Sequence, residues 1–242
     1  MRASLFIPCM VDTLVPEVGE ATARVLMRAG VALDYPTEQT CCGQPAFNAG
    51  YWEDARRVAR RFLKAFADSE AIVSPSGSCV SMVKNHYEEL FAESPSELRQ
   101  AREIGGRTFE LTEFLVRRLG ITDVGARFTG KLTYHESCHL SRELGIKDEP
   151  RALLRAVKGA ELIEMQEADR CCGFGGTFSV KFPEISAAMA RRKAENIKAS
   201  GADAVIICDP GCLIQIRGYF HRHGIKVRVL HLAELLAGGD GR

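Results

Sequence analysis

The chain has 242 residues, 46% hydrophobic and 26% charged, with a formal net charge of +1. That balance is ordinary for a globular protein. The Arg56-Arg57, Arg60-Arg61 and Arg191-Arg192 pairs read as solvated helix faces rather than as a nucleic-acid-binding stripe. No stretch has the roughly 18 apolar residues of a membrane span, and the apolar run near the N-terminus is too short for a signal peptide, so a cytoplasmic protein with reduced thiols is expected.

Residues 3–8 read as a short strand, and Val18, Ala21, Val25 and Ala29 recur at helical spacing behind Pro16. A second strand over 31–35 ends before Cys41-Cys42-Gly43. A helix over about 51–67 then stripes Ala55, Val58, Phe62 and Phe66, with Trp52 beside them as a core residue. A third strand at 71–73 runs into Cys79 and a helix, and 108–111 leads into 112–119. The Gly-rich stretch 120–130 reads as a seam, although 94–106 also breaks the pattern. The order then repeats, with a strand at 131–135 ending near Cys138, a helix at 151–157 and a strand at 161–165 before Cys171-Cys172-Gly173. A helix at 183–199 follows, with Pro183 in its first turn, then a strand at 204–207 leading to Cys212 and a last strand at 227–230 before 231–236. Even the tails match, Leu111-Thr112-Glu113-Phe114-Leu115 against Leu232-Ala233-Glu234-Leu235-Leu236. The expected fold is therefore α/β, with two pseudo-repeated βαβ-type units, 1–122 and 123–242, each built on a mainly parallel sheet.

Eight of the nine cysteines share that repeat. In the first unit, 31 residues separate Cys9 from Cys41 and 36 separate Cys42 from Cys79; in the second, 32 separate Cys138 from Cys171 and 39 separate Cys172 from Cys212. Each thiol follows the end of a strand. Parallel strands put their carboxyl ends on one edge of a sheet, so each set of four converges at such an edge, one edge per unit. Four thiolates are the ligand number of an iron–sulfur cluster, and helix N-termini beyond the strands suit its negative charge. Gly43, Gly173 and the Gly173-Phe174-Gly175-Gly176 segment are expected to let backbone approach a bulky inorganic core.

Other readings fit less well. Structural zinc favours tight C-x2–4-C pairs, a disulfide between adjacent cysteines is strained, and no C-x-x-C dithiol is present. Gly173-Phe174-Gly175-Gly176-Thr177-Phe178 fails as a dinucleotide fingerprint because Phe178 stands in the place of the last glycine. His135 and His139, flanking Cys138, read as ordinary polar residues at a strand end, with a hydrogen-bonding role beside the thiols as the sharper alternative. His86, His221 and His223 read as surface positions, and Asp209-Pro210 as a structural turn before Cys212. Cys208 is either a fifth thiol at the second site or a small buried core residue, the latter being the better fit.

The duplicated pattern resembles the cysteine-rich CCG-domain family, which includes the B subunit of heterodisulfide reductase and the iron–sulfur subunit of glycolate oxidase. Within it, CCGQPAFNAGY, SPSGSC, HESCHLSRELG, CCGFGGTFSVK and DPGCL resemble the lactate-utilisation branch across essentially the whole chain. The resemblance implies an oxidoreductase component of a nicotinamide-independent L-lactate-oxidising complex rather than a stand-alone enzyme. It implies two iron–sulfur clusters, of the 4Fe–4S type, on Cys9, Cys41, Cys42 and Cys79 and on Cys138, Cys171, Cys172 and Cys212, with no flavin or NAD in this chain. It also implies two operon-encoded partners, one of them a ferredoxin-type iron–sulfur protein, and a small 2-hydroxy acid as substrate of the complex. Heterodisulfide reductase closes each full site with C-x-x-C. Here Ser76 stands where the first unit would carry that extra thiol, and Cys208 is one position off in the second.

Overall fold

The computed structural model describes residues 1–238. Strands β1 (Arg2–Leu5), β2 (Ala32–Asp34), β3 (Ile72–Ser74) and β4 (Thr108–Glu110) form one sheet in the order β2-β1-β3-β4. Strands β5 (Arg127–His135), β6 (Lys158–Leu162), β7 (Ala204–Ile207) and β8 (Arg228–His231) form a second in the order β6-β5-β7-β8. Every pairing is parallel, and the second sheet repeats the spatial order of the first. Both are covered by interleaved helices, so the chain is α/β with a duplicated sheet. The inner strands β3 and β7 are buried along their whole length, and Ile72-Val73 and Ala204-Val205-Ile206-Ile207 are correspondingly uninterrupted apolar runs. In each sheet the direction of winding reverses between its first and third strands. A crevice opens there at the carboxyl ends, and the thiol-bearing turns leave from it.

Several elements depart from the sequence reading. A six-residue helix, Cys9–Leu14, with Pro8 at its N-cap position, precedes the expected one, Pro16–Arg28. The stretch 94–106 is a helix, Pro95–Gly106, with Pro95 in its first turn and the Gly pair at its end. Strand β6 lies three residues earlier than its apolar run suggested, and its register with β5 shifts between Arg127 and Gly130. On the helix Trp52–Ala65 the buried face is Ala55, Ala59, Phe62 and Leu63, while Val58 is half-buried. Trp52 is not core: it is 41% exposed and stacks on Phe47 at 5.6 Å.

The two sheets share one hydrophobic core, in which Leu5, Val25 and Leu26 meet Leu132, Leu235 and Leu236. The helix Pro16–Arg28 packs on the helix Leu232–Ala237, where the Arg28 guanidinium donates to the Leu236 and Ala237 carbonyls at 3.0 Å each. Among the described residues no helix is long and apolar enough to cross a membrane.

Candidate metal centre

Each thiol sits where a strand gives way to a helix. Cys9 opens the helix Cys9–Leu14 behind β1, and Cys138 caps the π-helical turn His139–Glu143 behind β5. Cys79 lies in the first turn of the helix Gly77–Ser81, whose Ser76 Oγ accepts from the Cys79 N–H at 3.4 Å. Cys212 lies in the first turn of the helix Pro210–Arg222, whose Asp209 Oδ1 accepts from the Gly211 N–H at 3.0 Å. The Ser76 hydroxyl thus performs at the first set the capping that the Asp209 carboxylate performs at the second.

Each set lies at the carboxyl edge of its own sheet, but the two edges are not apart. Both carboxyl edges turn towards one cavity of about 120 Å³, and all eight thiols of the two sets line it. Several contacts hold the edges face to face, among them the following two. Asp209 Oδ2 accepts from the Ser78 N–H at 2.9 Å, so one carboxylate caps helices from both halves. Gly77 abuts Leu140 so closely that a Cβ there would lie 2.8 Å from Leu140 Cδ1.

The adjacent-cysteine loops are built alike. Gly43 and Gly173 both take φ +89°, and their N–H groups donate to the sulfurs of Cys41 and Cys171 at 3.4 Å. Contrary to the sequence expectation, these glycines do not open room for a cluster. A Cβ on Gly173 would meet Ser186 O at 2.7 Å and Met189 Cβ at 2.8 Å, and one on Gly43 would meet Ala55 O at 3.3 Å. They let the helices Trp52–Ala65 and Pro183–Ala199 close on the loops. Gly211 does face the cavity wall, with the Phe174 ring 2.6 Å from where its Cβ would be.

The thiols of each set perturb one another. The neighbouring thiols of Cys42 and Cys9, helped by the Gly43 N–H, hold Cys41 well below the usual thiol range. Cys138 and Cys172, with the Gly173 N–H, do the same for Cys171. The thiols that donate to them, Cys9, Cys42, Cys138 and Cys172, are pushed up by those same contacts and by burial. Cys172 and Cys212 lie Sγ to Sγ at 3.2 Å.

His135 is fully buried behind the second set. Neither ring nitrogen has a hydrogen-bond partner, and the Ala168 carbonyl faces the ring outside hydrogen-bond geometry. His135, Cys172 and Cys212 present ligand atoms that all lie within 4.8 Å of one another. Burial and the nearby Lys193 charge hold the imidazole at about 3, so it is neutral, with one N–H to give. The reading of His135 as an ordinary strand-end residue is thereby corrected. His139 lines the cavity, with Nδ1 3.7 Å from Cys138 Sγ and Nε2 3.5 Å from Gln44 Nε2. His221 and His223 are exposed, whereas His86 is half-buried against Phe47. Cys208 is fully buried in the shared core and is not among the residues lining the cavity. Two residues escaped the sequence reading. One is Lys193, buried with Nζ donating to the Glu167 and Ala168 carbonyls at 2.7 and 3.1 Å; the other is Ser76 in its capping role. Lys193 directly follows the Arg191-Arg192 pair, which does face solvent.

The donor set fits a soft metal or an iron–sulfur group. Its sulfurs are clustered, two of them are already biased towards thiolate, and backbone N–H groups point at them.

The family model described as "Cysteine-rich domain" (CCG) matches twice, at residues 3–84 and 132–217. A protein named "Lactate utilization protein A" from Oceanobacillus iheyensis is 44% identical over 236 residues, covering 98% of this chain and 96% of that protein. Its namesake from Geobacillus kaustophilus is 47% identical over 236 residues, covering 98% of each. "Lactate utilization protein A 2" from Bacillus cereus is 46% identical over 239 residues, covering 99% of each.

Proposed function

We propose that this chain, which belongs to the CCG cysteine-rich family and within it to the lactate utilization protein A group, is the iron–sulfur electron-transfer subunit of a multi-component system that oxidises L-lactate to pyruvate. The observation that carries the proposal is the single cavity walled by two four-thiol sets. Cys9, Cys41, Cys42 and Cys79 would hold one 4Fe–4S cluster, and Cys138, Cys171, Cys172 and Cys212 the other. Such clusters, when bound, exchange one electron each, and the conversion of lactate to pyruvate releases two electrons and two protons.

The chain's own residues supply the setting. Gly43 and Gly173 direct N–H groups at thiolate sulfur, Ser76 and Asp209 fix the helices carrying Cys79 and Cys212, and Phe174 closes one wall. The partners in this proposal are two further lactate-utilisation proteins, one of ferredoxin type, in the cytoplasm. The 2-hydroxy acid is the substrate of the assembled complex.

The test is anaerobic reconstitution of the complex, followed by the visible cluster absorption of this chain. L-Lactate should bleach it and glycolate should not. Zinc in place of iron and acid-labile sulfide would sink the proposal, and bleaching by glycolate alone would move the chain to another hydroxy acid.

A further inference from the structure

The two thiol sets are alike in spacing but not in what stands behind them. Phe6 and His135 are equivalent positions, each three residues before the first thiol of its set: His135 ends β5, and Phe6 directly follows β1, its N–H donating to the Val73 carbonyl of β3. Phe62 and Lys193 are equivalent too. The Gly43 loop rests on Ala55 and the Gly173 loop on Ser186, and Phe62 and Lys193 stand seven residues further along the same helices. All four residues are fully buried. Behind the first set lies an aromatic cluster, in which Phe6 meets Phe62 edge-on at 4.8 Å and Phe66 at 5.7 Å. Behind the second lie an imidazole with no hydrogen-bond partner and an ammonium anchored on two backbone carbonyls.

We propose that the second set, on Cys138, Cys171, Cys172 and Cys212, holds the more oxidising of the two clusters, because His135 and Lys193 stabilise its reduced form. This rests on the cluster-binding function proposed above. Reduction adds one negative charge to a cluster. A buried ammonium and an N–H donor favour that added charge, whereas phenyl rings offer it nothing. Lys193 carries its charge at neutral pH: burial lowers it only to about 8, against the pull of Cys172 and Cys212. Surface carboxylates do not cancel it. Glu167 is engaged by Arg170 and Arg192, and the Asp169 side chain is 64% exposed. The buried Asp209 carboxylate is spent on two helix N-termini, one from each half. An electron entering at the first cluster is then passed downhill to the second, the first being reoxidised as the second is reduced.

The experiment is an electron-paramagnetic-resonance-monitored dithionite titration of the anaerobically reconstituted chain, with iron and sulfide assayed in every sample. Two midpoints are expected, and Cys172→Ser should remove the higher. His135→Phe and Lys193→Met should each lower the higher midpoint and leave the lower one in place, while His135→Asn, which keeps an N–H donor, should restore much of the gap. Phe6→His, made at the other site, should raise the lower midpoint, and it decides the matter if the second-site variants fail to load. A single midpoint for both clusters would overturn the inference, as would fully loaded His135 and Lys193 variants in which the higher midpoint stays put. Wild-type chain without iron or sulfide would instead overturn the cluster reading beneath it.

Discussion

Asp209 accepts from the Ser78 N–H at 2.9 Å while also accepting from the Gly211 N–H at 3.0 Å. One buried side chain thus ties the two sheet edges together at the cavity they share. Asp209→Ala should cost about 1–3 kcal/mol, through a lost cap and an N–H left unpaired across the interface. Asp209→Asn keeps one acceptor but turns a donor towards the other N–H, so it should fall between. Urea denaturation midpoints give the order.

The two loop glycines should differ when replaced. Both need positive φ, yet only at Gly173 would a Cβ overlap the helix packed on the loop, at 2.7 Å from Ser186 O against 3.3 Å from Ala55 O at Gly43. Gly173→Ala should therefore destabilise the fold by about 1–3 kcal/mol more than Gly43→Ala, and should also deplete iron at one site. Equal effects on stability and iron would contradict this geometry.

Glu110 gives a pH dependence. Full burial raises its carboxyl from 4.5 to about 8, against hydrogen bonds from the Thr112 hydroxyl and the Thr112 and Glu113 N–H groups, and its Oε1 has no partner. Between those values the native protein holds a proton that the unfolded chain releases. Its contribution to stability therefore falls as pH rises through this window, by up to about 1.4 kcal/mol per pH unit. Glu110→Gln should flatten that decline. Thermal unfolding at pH 5, 6.5 and 8 measures it.

Cys208 and Cys172 separate core from ligand. Cys208 is fully buried among Tyr134 and neighbouring core residues, and burial pushes its thiol up. Cys208→Ser should cost about 1–2 kcal/mol of stability yet keep the iron content, whereas Cys172→Ser should remove about half of the iron. Loss of iron from the Cys208 variant would make it a ligand.

Much of this was legible in the chain. Pro183–Ala199 and Ala204–Ile207 fall where periodicity and apolar runs put them, and the repeat of cysteines after strands follows from parallel order. The facing of the two edges was not legible, because it depends on contacts between residues far apart in sequence, Gly77 with Leu140 and Asp209 with Ser78. Lys193 was hidden for a different reason. It ends a basic run whose first two members do face solvent, and only the packing of the helix on the second cysteine pair reveals its burial. Strand β6 was misplaced because Ile163, the strongest β-former there, lies just beyond the strand, with its N–H donating to the Leu132 carbonyl.

The most direct test of two four-thiol cluster sites around one cavity is an anaerobic count of iron and acid-labile sulfide, joined to electron paramagnetic resonance of the reduced chain. About eight of each per chain, with the resonance of two magnetically interacting 4Fe–4S centres, is the expected result. Zinc without sulfide, or a single cluster that survives loss of either thiol set, would contradict it.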